Sequence, residues 1–187
     1  MSRQTWVECL VASKVQGPSL SNSTTATSVI PPGDKITLPC NYLTVGRQLR
    51  IRGMARVSNI VTTPGTLTLD VRLGAVVAFN GGAMQLSTTA HTTLPLVFQI
   101  DLIVRAEGSG TSGNLMGVMV ATGQMLSIST SDPTSGHSTL VAPNATPAVG
   151  TGYDSTSALT VDLFATFSVA NAGNLFALEQ FYIEALN

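Results

Sequence analysis

From Arg47 onward the chain alternates. Leu49, Ile51, Ala55 and Val57 fall on one side of an extended backbone, and Arg50, Arg52, Met54 and Arg56 fall on the other. That period of two is what a half-buried β-strand imposes on its side chains. The pattern returns over 66–73, where Leu67, Leu69, Val71 and Leu73 share a face, and over 94–106, where Leu96, Phe98, Ile100, Leu102 and Val104 do. Further strands are expected over 35–43, 75–80, 114–121, 124–130, 157–169 and 175–186. The last also fits helical spacing through Leu178, Phe181 and Tyr182, but its β-branched and aromatic content favours a strand. Gly74 alone separates 66–73 from 75–80, so these are either a tight hairpin or one long strand with a bulge.

About eight to ten strands, divided by Thr/Gly/Ser-rich turns and with no convincing amphipathic helix between them, predict an all-β protein. Hairpin connections with one or two long crossovers favour a jelly-roll-like antiparallel sandwich over an up-and-down barrel.

Residues 1–33 read differently. Trp6 to Ala12 is apolar, Gly17-Pro18 and the Ser/Thr run to Thr25 resemble linker, and Ile30-Pro31-Pro32-Gly33-Asp34 punctuates the chain. The expected division is an extended N-terminal arm over 1–33 and a sandwich domain over 34–187. Either the arm reaches a neighbouring subunit, with Trp6, Val7 and Leu10 as apolar contacts, or it is an edge strand on its own domain. In the first case, deleting 1–28 leaves a folded protein that no longer binds its partner. A second segment, 131–157, carries Pro, Gly and Ser with little periodicity; as a long loop it is a candidate site, with His137 and Tyr153 its named residues.

Composition sharpens this picture. The chain is 44% hydrophobic but only 10% charged, against about 25% charged in ordinary domains. So few charges suggest surface hidden in an assembly, although a Ser/Thr-rich exterior explains them equally well. A net charge of −1 gives no drive toward phosphate backbones or anionic lipid, so neither nucleic acid nor membrane is expected as a partner. No apolar run approaches the ~20 residues of a membrane helix, and the first residues lack the apolar core of a signal peptide, so synthesis in the cytoplasm is expected. Cys9 and Cys40 are compatible with a bridge on paper, but without a secretory signal reduced thiols are expected.

Little in the chain looks like chemistry. His91 and His137 are the only histidines, both in polar sequence, and there is no Gly-x-Ser-x-Gly elbow, phosphate-binding loop or Cys-x-x-Cys. No catalytic, metal or cofactor residues are therefore assigned, and no enzyme is expected. Gly108 to Gly113 falls between two strands and reads as a hairpin loop. Asp70, Asp101 and Asp162 point away from the predicted core, as do Arg50, Arg52, Arg56, Arg72 and Arg105, so they are expected to line one sheet face. Cross-strand pairing accounts for such rows; their sharper use is contact with another subunit, since arginine outperforms lysine at interfaces. Sugar binding by aromatic stacking would rest on Tyr42, Tyr153 and Tyr182.

The run Leu38-Pro39-Cys40-Asn41-Tyr42-Leu43-Thr44-Val45-Gly46-Arg47-Gln48-Leu49-Arg50-Ile51-Arg52-Gly53, followed by Thr68-Leu69-Asp70-Val71-Arg72-Leu73-Gly74, resembles a group of small virion proteins of tailed bacteriophages. Pro147 to Thr156, Val161-Asp162-Leu163-Phe164 and Ile183-Glu184-Ala185-Leu186-Asn187 are similar to that group too. The resemblance covers roughly residues 30 to 187 and brings no catalytic motif with it. It implies a jelly-roll-like module, commonly a homotrimer, that decorates a capsid or belongs to tail or fibre parts. The leading expectation is a capsid decoration (cement) protein in the virion, partnered by itself and by the major capsid protein or another virion protein. The alternative is a tail or fibre module that recognises host glycans through 132–156.

Overall fold

The computed structural model describes residues 6–127 and 138–186. These form β1 (Val7–Ala12), β2 (Leu20–Ser21), β3 (Thr27–Ser28), a 3-10 turn at Pro32–Asp34, β4 (Ile36–Leu38), β5 (Gln48–Asn59), β6 (Thr66–Leu73), β7 (Val76–Gln85), β8 (His91–Ala106), β9 (Asn114–Gly123), β10 (Ser138–Ala142), β11 (Leu159–Phe167) and β12 (Leu175–Leu186). The larger sheet runs β1-β12-β5-β8-β9-β10, with β2 also on β12. The smaller runs β3-β11-β6-β7, with β4 also on β11.

The wrapping is that of a jelly roll. Among β1, β4, β5, β6, β7, β8, β11 and β12 taken in chain order, the first pairs with the last, the second with the seventh, the third with the sixth and the fourth with the fifth. All four ladders are antiparallel, as in a long hairpin rolled over so that alternate pairs fall in opposite sheets. β9 and β10 are an addition between the sixth and seventh strands, and widen the larger sheet.

The alternation read from the sequence is what fills the interior. Leu49, Ile51, Ala55 and Val57 of β5 meet Leu96, Phe98, Ile100 and Leu102 of β8 and the inward leucines of β6 in one continuous core. Gly74 and Ala75 make the two-residue turn between β6 and β7, and Gly74 takes the positive φ of +61° that the first position of a II′-type turn requires. The hairpin alternative at Gly74 is thus the one observed. The Gly108–Gly113 stretch joins β8 to β9 as a hairpin loop.

The N-terminal segment lies on its own domain. β1 pairs with β12, β2 with β12 and β3 with β11, while Leu20, Val29 and Ile30 are buried in the core. The edge-strand alternative is therefore the conformation seen, and the segment contributes the first strand of the roll.

Other boundaries move for identifiable reasons. The strand expected over 35–43 shrinks to β4, because Asn41 takes a φ of +59° and the chain turns where the Tyr42 amide donates to the Pro39 carbonyl. β7 continues beyond the expected 75–80, through Gly81-Gly82 to Gln85. Here the ladder shifts register, and the Asn80 side chain accepts the Gly82 amide at 2.8 Å. No strand occupies the described part of 124–130: a turn follows β9 and Leu126 makes an isolated bridge to Leu86. β10, by contrast, lies inside the segment read as a structureless loop.

Candidate functional site: the outer face of the larger sheet

Strand register lays out the outward side chains in rows. One row reads Val141, Val120, Gln99, Arg52, Tyr182, from β10 across to β12. The next reads Val118, Asp101, Arg50, Glu184, and the one after it Met116, Ile103, Gln48, Leu186 and then Val7 of β1. The face thus grades from apolar at the β9–β10 side to charged in the middle.

Three arginines in the middle of the face have side-chain partners, two of them carboxylates. Arg50 Nε donates to Asp101 Oδ1 at 2.6 Å, and Gln99 donates to the other carboxylate oxygen. Arg56 pairs with Glu179, and Arg52 donates to the Tyr182 hydroxyl at 3.2 Å. Arg105 at the far end has no ion pair among the described residues, and its Nη2 meets the Met116 sulfur at 3.7 Å. Closing part of the charges in this way leaves Val97, Val118, Val120 and Val141 prominent; each is between 41% and 63% exposed.

Two depressions mark this face. A shallow one of about 830 Å³ lies around Arg52, Val97, Gln99, Val120 and Tyr182. A groove of about 510 Å³ lies under the segment following β10, floored by Ile103, Met116 and Val118 and walled by Pro143 and Pro147, with Arg105 at its side. The wall is fixed by backbone contacts, because Val149 bridges Met116 and the Gly150 amide donates to the Leu115 carbonyl at 2.8 Å. Glycine is required at 150, where a Cβ would stand 1.7 Å from the Ala78 carbonyl oxygen.

The expected common face for the charged residues is not what forms. Asp70, Arg72 and Asp162 belong to the smaller sheet, on the opposite side of the sandwich from Arg50, Arg52, Arg56, Asp101 and Arg105. There Arg72 Nε donates to Asp70 at 2.9 Å within one strand, and its guanidinium stacks 3.7 Å from the Phe164 ring centre. Asp162 accepts from Lys35 Nζ at 2.7 Å and from Ser28. Asp70 is only 5% exposed, so this cluster fastens strands instead of presenting a carboxylate.

Tyr153, expected as a contact residue of the 131–157 loop, is not at the surface. It is fully buried, held between Gly113 and the core by paired backbone hydrogen bonds, and so presents nothing to a partner or a sugar. Its hydroxyl has no partner among the described residues, and desolvation, helped by the charge of Glu107, pushes its pKa up to about 12. His137 lies outside the described residues. His91 opens β8 instead of sitting in a loop, and its Nδ1 lies 3.0 Å from Asn59 Oδ1. Leu10 is half-buried against the core, whereas Trp6 and Val7 are each 59% exposed.

Cys9 and Cys40 are both free and exposed. Among the described residues no group of three or more His, Cys, Asp or Glu is placed to hold a metal ion. Sequence reasoning passed over Met116, Val118, Val120, Val141 and Pro143. A usable signal was present for the first three, since β9 is apolar on both alternating faces, with Leu115, Met119 and Ala121 turned inward.

No protein-family model matches the chain, and no curated protein matches it either. Solved structures similar to it include the winged bean acidic lectin, at 11% identity over 98% of this chain and 100% of that one, with a TM-score of 0.33. Lectin I of Ulex europaeus shares 8% identity over 97% of each chain, TM-score 0.33. The CBM2 module of the evolved Dit from Lactobacillus casei BL23 phage J-1 shares 11% over 82% of this chain and 68% of that one, TM-score 0.30. At such identities and scores none of them bears on what this chain binds; its architecture, an all-β jelly-roll sandwich, stands on its own strand order.

Proposed function

We propose that this chain is a non-enzymatic structural protein of a tailed-phage virion, a decoration protein that binds the assembled head as a homotrimer and stabilises it. The observation that carries the reading is the outer face of the larger sheet. There Arg50 and Arg56 are paired with Asp101 and Glu179, while exposed valines of β8, β9 and β10 and an apolar groove adjoin them. Contiguous apolar surface of this kind is what an interaction face presents. The resemblance over residues 30 to 187 supports a phage particle as the setting, and the chain's low charge agrees with surface that is covered in use.

The physics of such a role is linkage. A protein that binds the assembled shell and not its free subunits stabilises the shell by mass action, and a multisubunit module that touches several capsid proteins gains from effective concentration. The test is cryo-imaging of particles made with and without this chain. Additional density on the head lattice, with earlier head rupture on heating when the chain is absent, is the expected result; density on the tail alone, or none, overturns it.

A second reading, a host-recognition module of the tail or fibre, draws on the groove beneath 143–147. Weak glycan binding by the isolated protein, lost when that segment is replaced, would favour it over head decoration.

A further inference from the structure

The groove on the larger sheet and the first residues of β1 are complementary. The groove offers an apolar floor, Ile103, Met116 and Val118, between the Pro143 and Pro147 walls; of the two charged groups in its lining, Asp101 is already held by Arg50 and Gln99, whereas the guanidinium of Arg105 has no ion pair among the described residues. Such a site fits an extended segment carrying a large apolar side chain and a carboxylate close to it. This chain carries one. Trp6 is its only tryptophan and is 59% exposed, and Glu8 is exposed two positions on. In an extended backbone residues i and i+2 leave on the same side, about 7 Å apart.

The same molecule does not bring the two together. Val7 lies at the β1 edge of the sheet and Met116 on β9, four strands away, which is about 19 Å at ~4.8 Å per strand. We propose that the Trp6–Glu8 end of β1 in one copy docks into the Arg105 groove of a second copy, Trp6 on the apolar floor and Glu8 against the guanidinium. This deepens the reading of the chain as a self-assembling structural protein by naming the contact between copies. The interface is head-to-tail: each copy donates at one edge of the sheet and accepts near the other, so copies close into a ring if the rotation allows and extend as a filament if it does not. Trp6 is the anchor, as buried aromatics are at interface centres, and the Glu8–Arg105 pair fixes register. Glu8 already accepts the Tyr42 hydroxyl through Oε2 at 3.3 Å, which holds the strand end in place and leaves Oε1 available.

Analytical ultracentrifugation of the full chain tests this, with Trp6→Ala, Arg105→Glu, Glu8→Arg and the Glu8→Arg/Arg105→Glu double exchange, each first checked for an unchanged far-ultraviolet spectrum. All three positions are exposed, so the fold is expected to survive. Each single substitution should weaken self-association about 30-fold, on the scale of an interface hot spot, and the double exchange should recover most of the loss. Tryptophan emission reports the same site directly: it should move to shorter wavelength as concentration rises, and should not do so in Arg105→Glu. Unchanged assembly in Trp6→Ala and Arg105→Glu overturns the proposal, as does an emission maximum independent of concentration in a chain that does assemble. A chain that is monomeric at high concentration yet decorates heads removes this contact and the homotrimer with it, and leaves the head-decoration role standing. Assembly through Trp6 by a chain absent from particles does the reverse.

Discussion

Phe98 lies over Gly53. The two residues are directly paired between β8 and β5, and a Cβ at position 53 would stand 2.5 Å from the Phe98 ring carbon Cζ. Both belong to the central ladder of the larger sheet, so the ring fills the gap that a residue without a side chain leaves on the inner face. Gly53→Ala should therefore force a buried ring out of its rotamer, at a cost of roughly 1–3 kcal/mol. Combining it with Phe98→Leu should cost less than the sum of the two single changes. Urea unfolding of the four proteins measures the coupling, and strict additivity would show that ring and backbone do not touch.

Removing residues 1–28 should abolish folding, not merely binding. The deletion takes away the first strand of the roll, the buried Leu20 and the strand at Thr27–Ser28, and leaves the β12 edge unpaired. A truncated chain should show no cooperative thermal transition, whereas removal of residues 1–5 should leave the transition in place. A cooperative melt for the longer deletion would restore the free-arm description.

Tyr153→Phe should stabilise the protein, by about 1–3 kcal/mol if the orphan hydroxyl bears its full desolvation cost. The same change should alter the alkaline limb. Because the phenol pKa is raised to about 12 in the folded state against about 10 unfolded, its contribution is fully present below pH ~10. It is lost as pH rises toward 12, where the unfolded chain has already released the proton. Chemical denaturation between pH 9 and 12 should show a shallower decline in Tyr153→Phe than in the parent chain. Tyr42, raised by partial desolvation and by the Glu8 charge, keeps the decline from vanishing.

Arg72→Met should be among the more damaging outer-face substitutions. It strips the nearly buried Asp70 carboxylate of its ion pair and removes the stacking on Phe164, a loss on the order of 3 kcal/mol. Asp70→Asn in the same chain should return part of it, since no uncompensated charge then remains. Arg50→Met, whose partner Asp101 is more exposed and also bonded by Gln99, should cost about 1 kcal/mol or less. Equal losses in thermal denaturation would contradict this ranking.

How much of this was legible beforehand follows the range of each interaction. The strands over 47–58, 66–73, 94–106 and 175–186, and the inward residues of each, are written in local alternation, because side-chain direction in an extended chain depends only on neighbours. Hence the all-β class, the core residues Leu49, Ile51, Leu67 and Leu69, and the hairpin loop at 108–113 were all within reach of the sequence. The apolar outer face of β9 was within reach as well, had its two-sided pattern been followed.

What lay beyond local pattern was decided by partners far along the chain. Val7–Ala12 is an apolar stretch ahead of a linker-like run, open in sequence between an arm and an edge strand, and becomes the first strand of the roll only because β12, more than 160 positions later, offers an unpaired edge. Asp70 and Asp101 look alike in sequence, but their strands enter opposite sheets, so one is fastened by Arg72 within its own strand and the other by Arg50 across a ladder. Tyr153, polar and in a Gly-rich stretch, is buried because Gly113 and Gly150 admit the chain against the β9 end and Ala78. The sequence by itself determined which residues turn inward along each strand, since that is a property of the extended backbone. Which strands meet, which charges pair and where a groove opens were decided by the tertiary structure, since pairing and register exist only once distant segments share an edge.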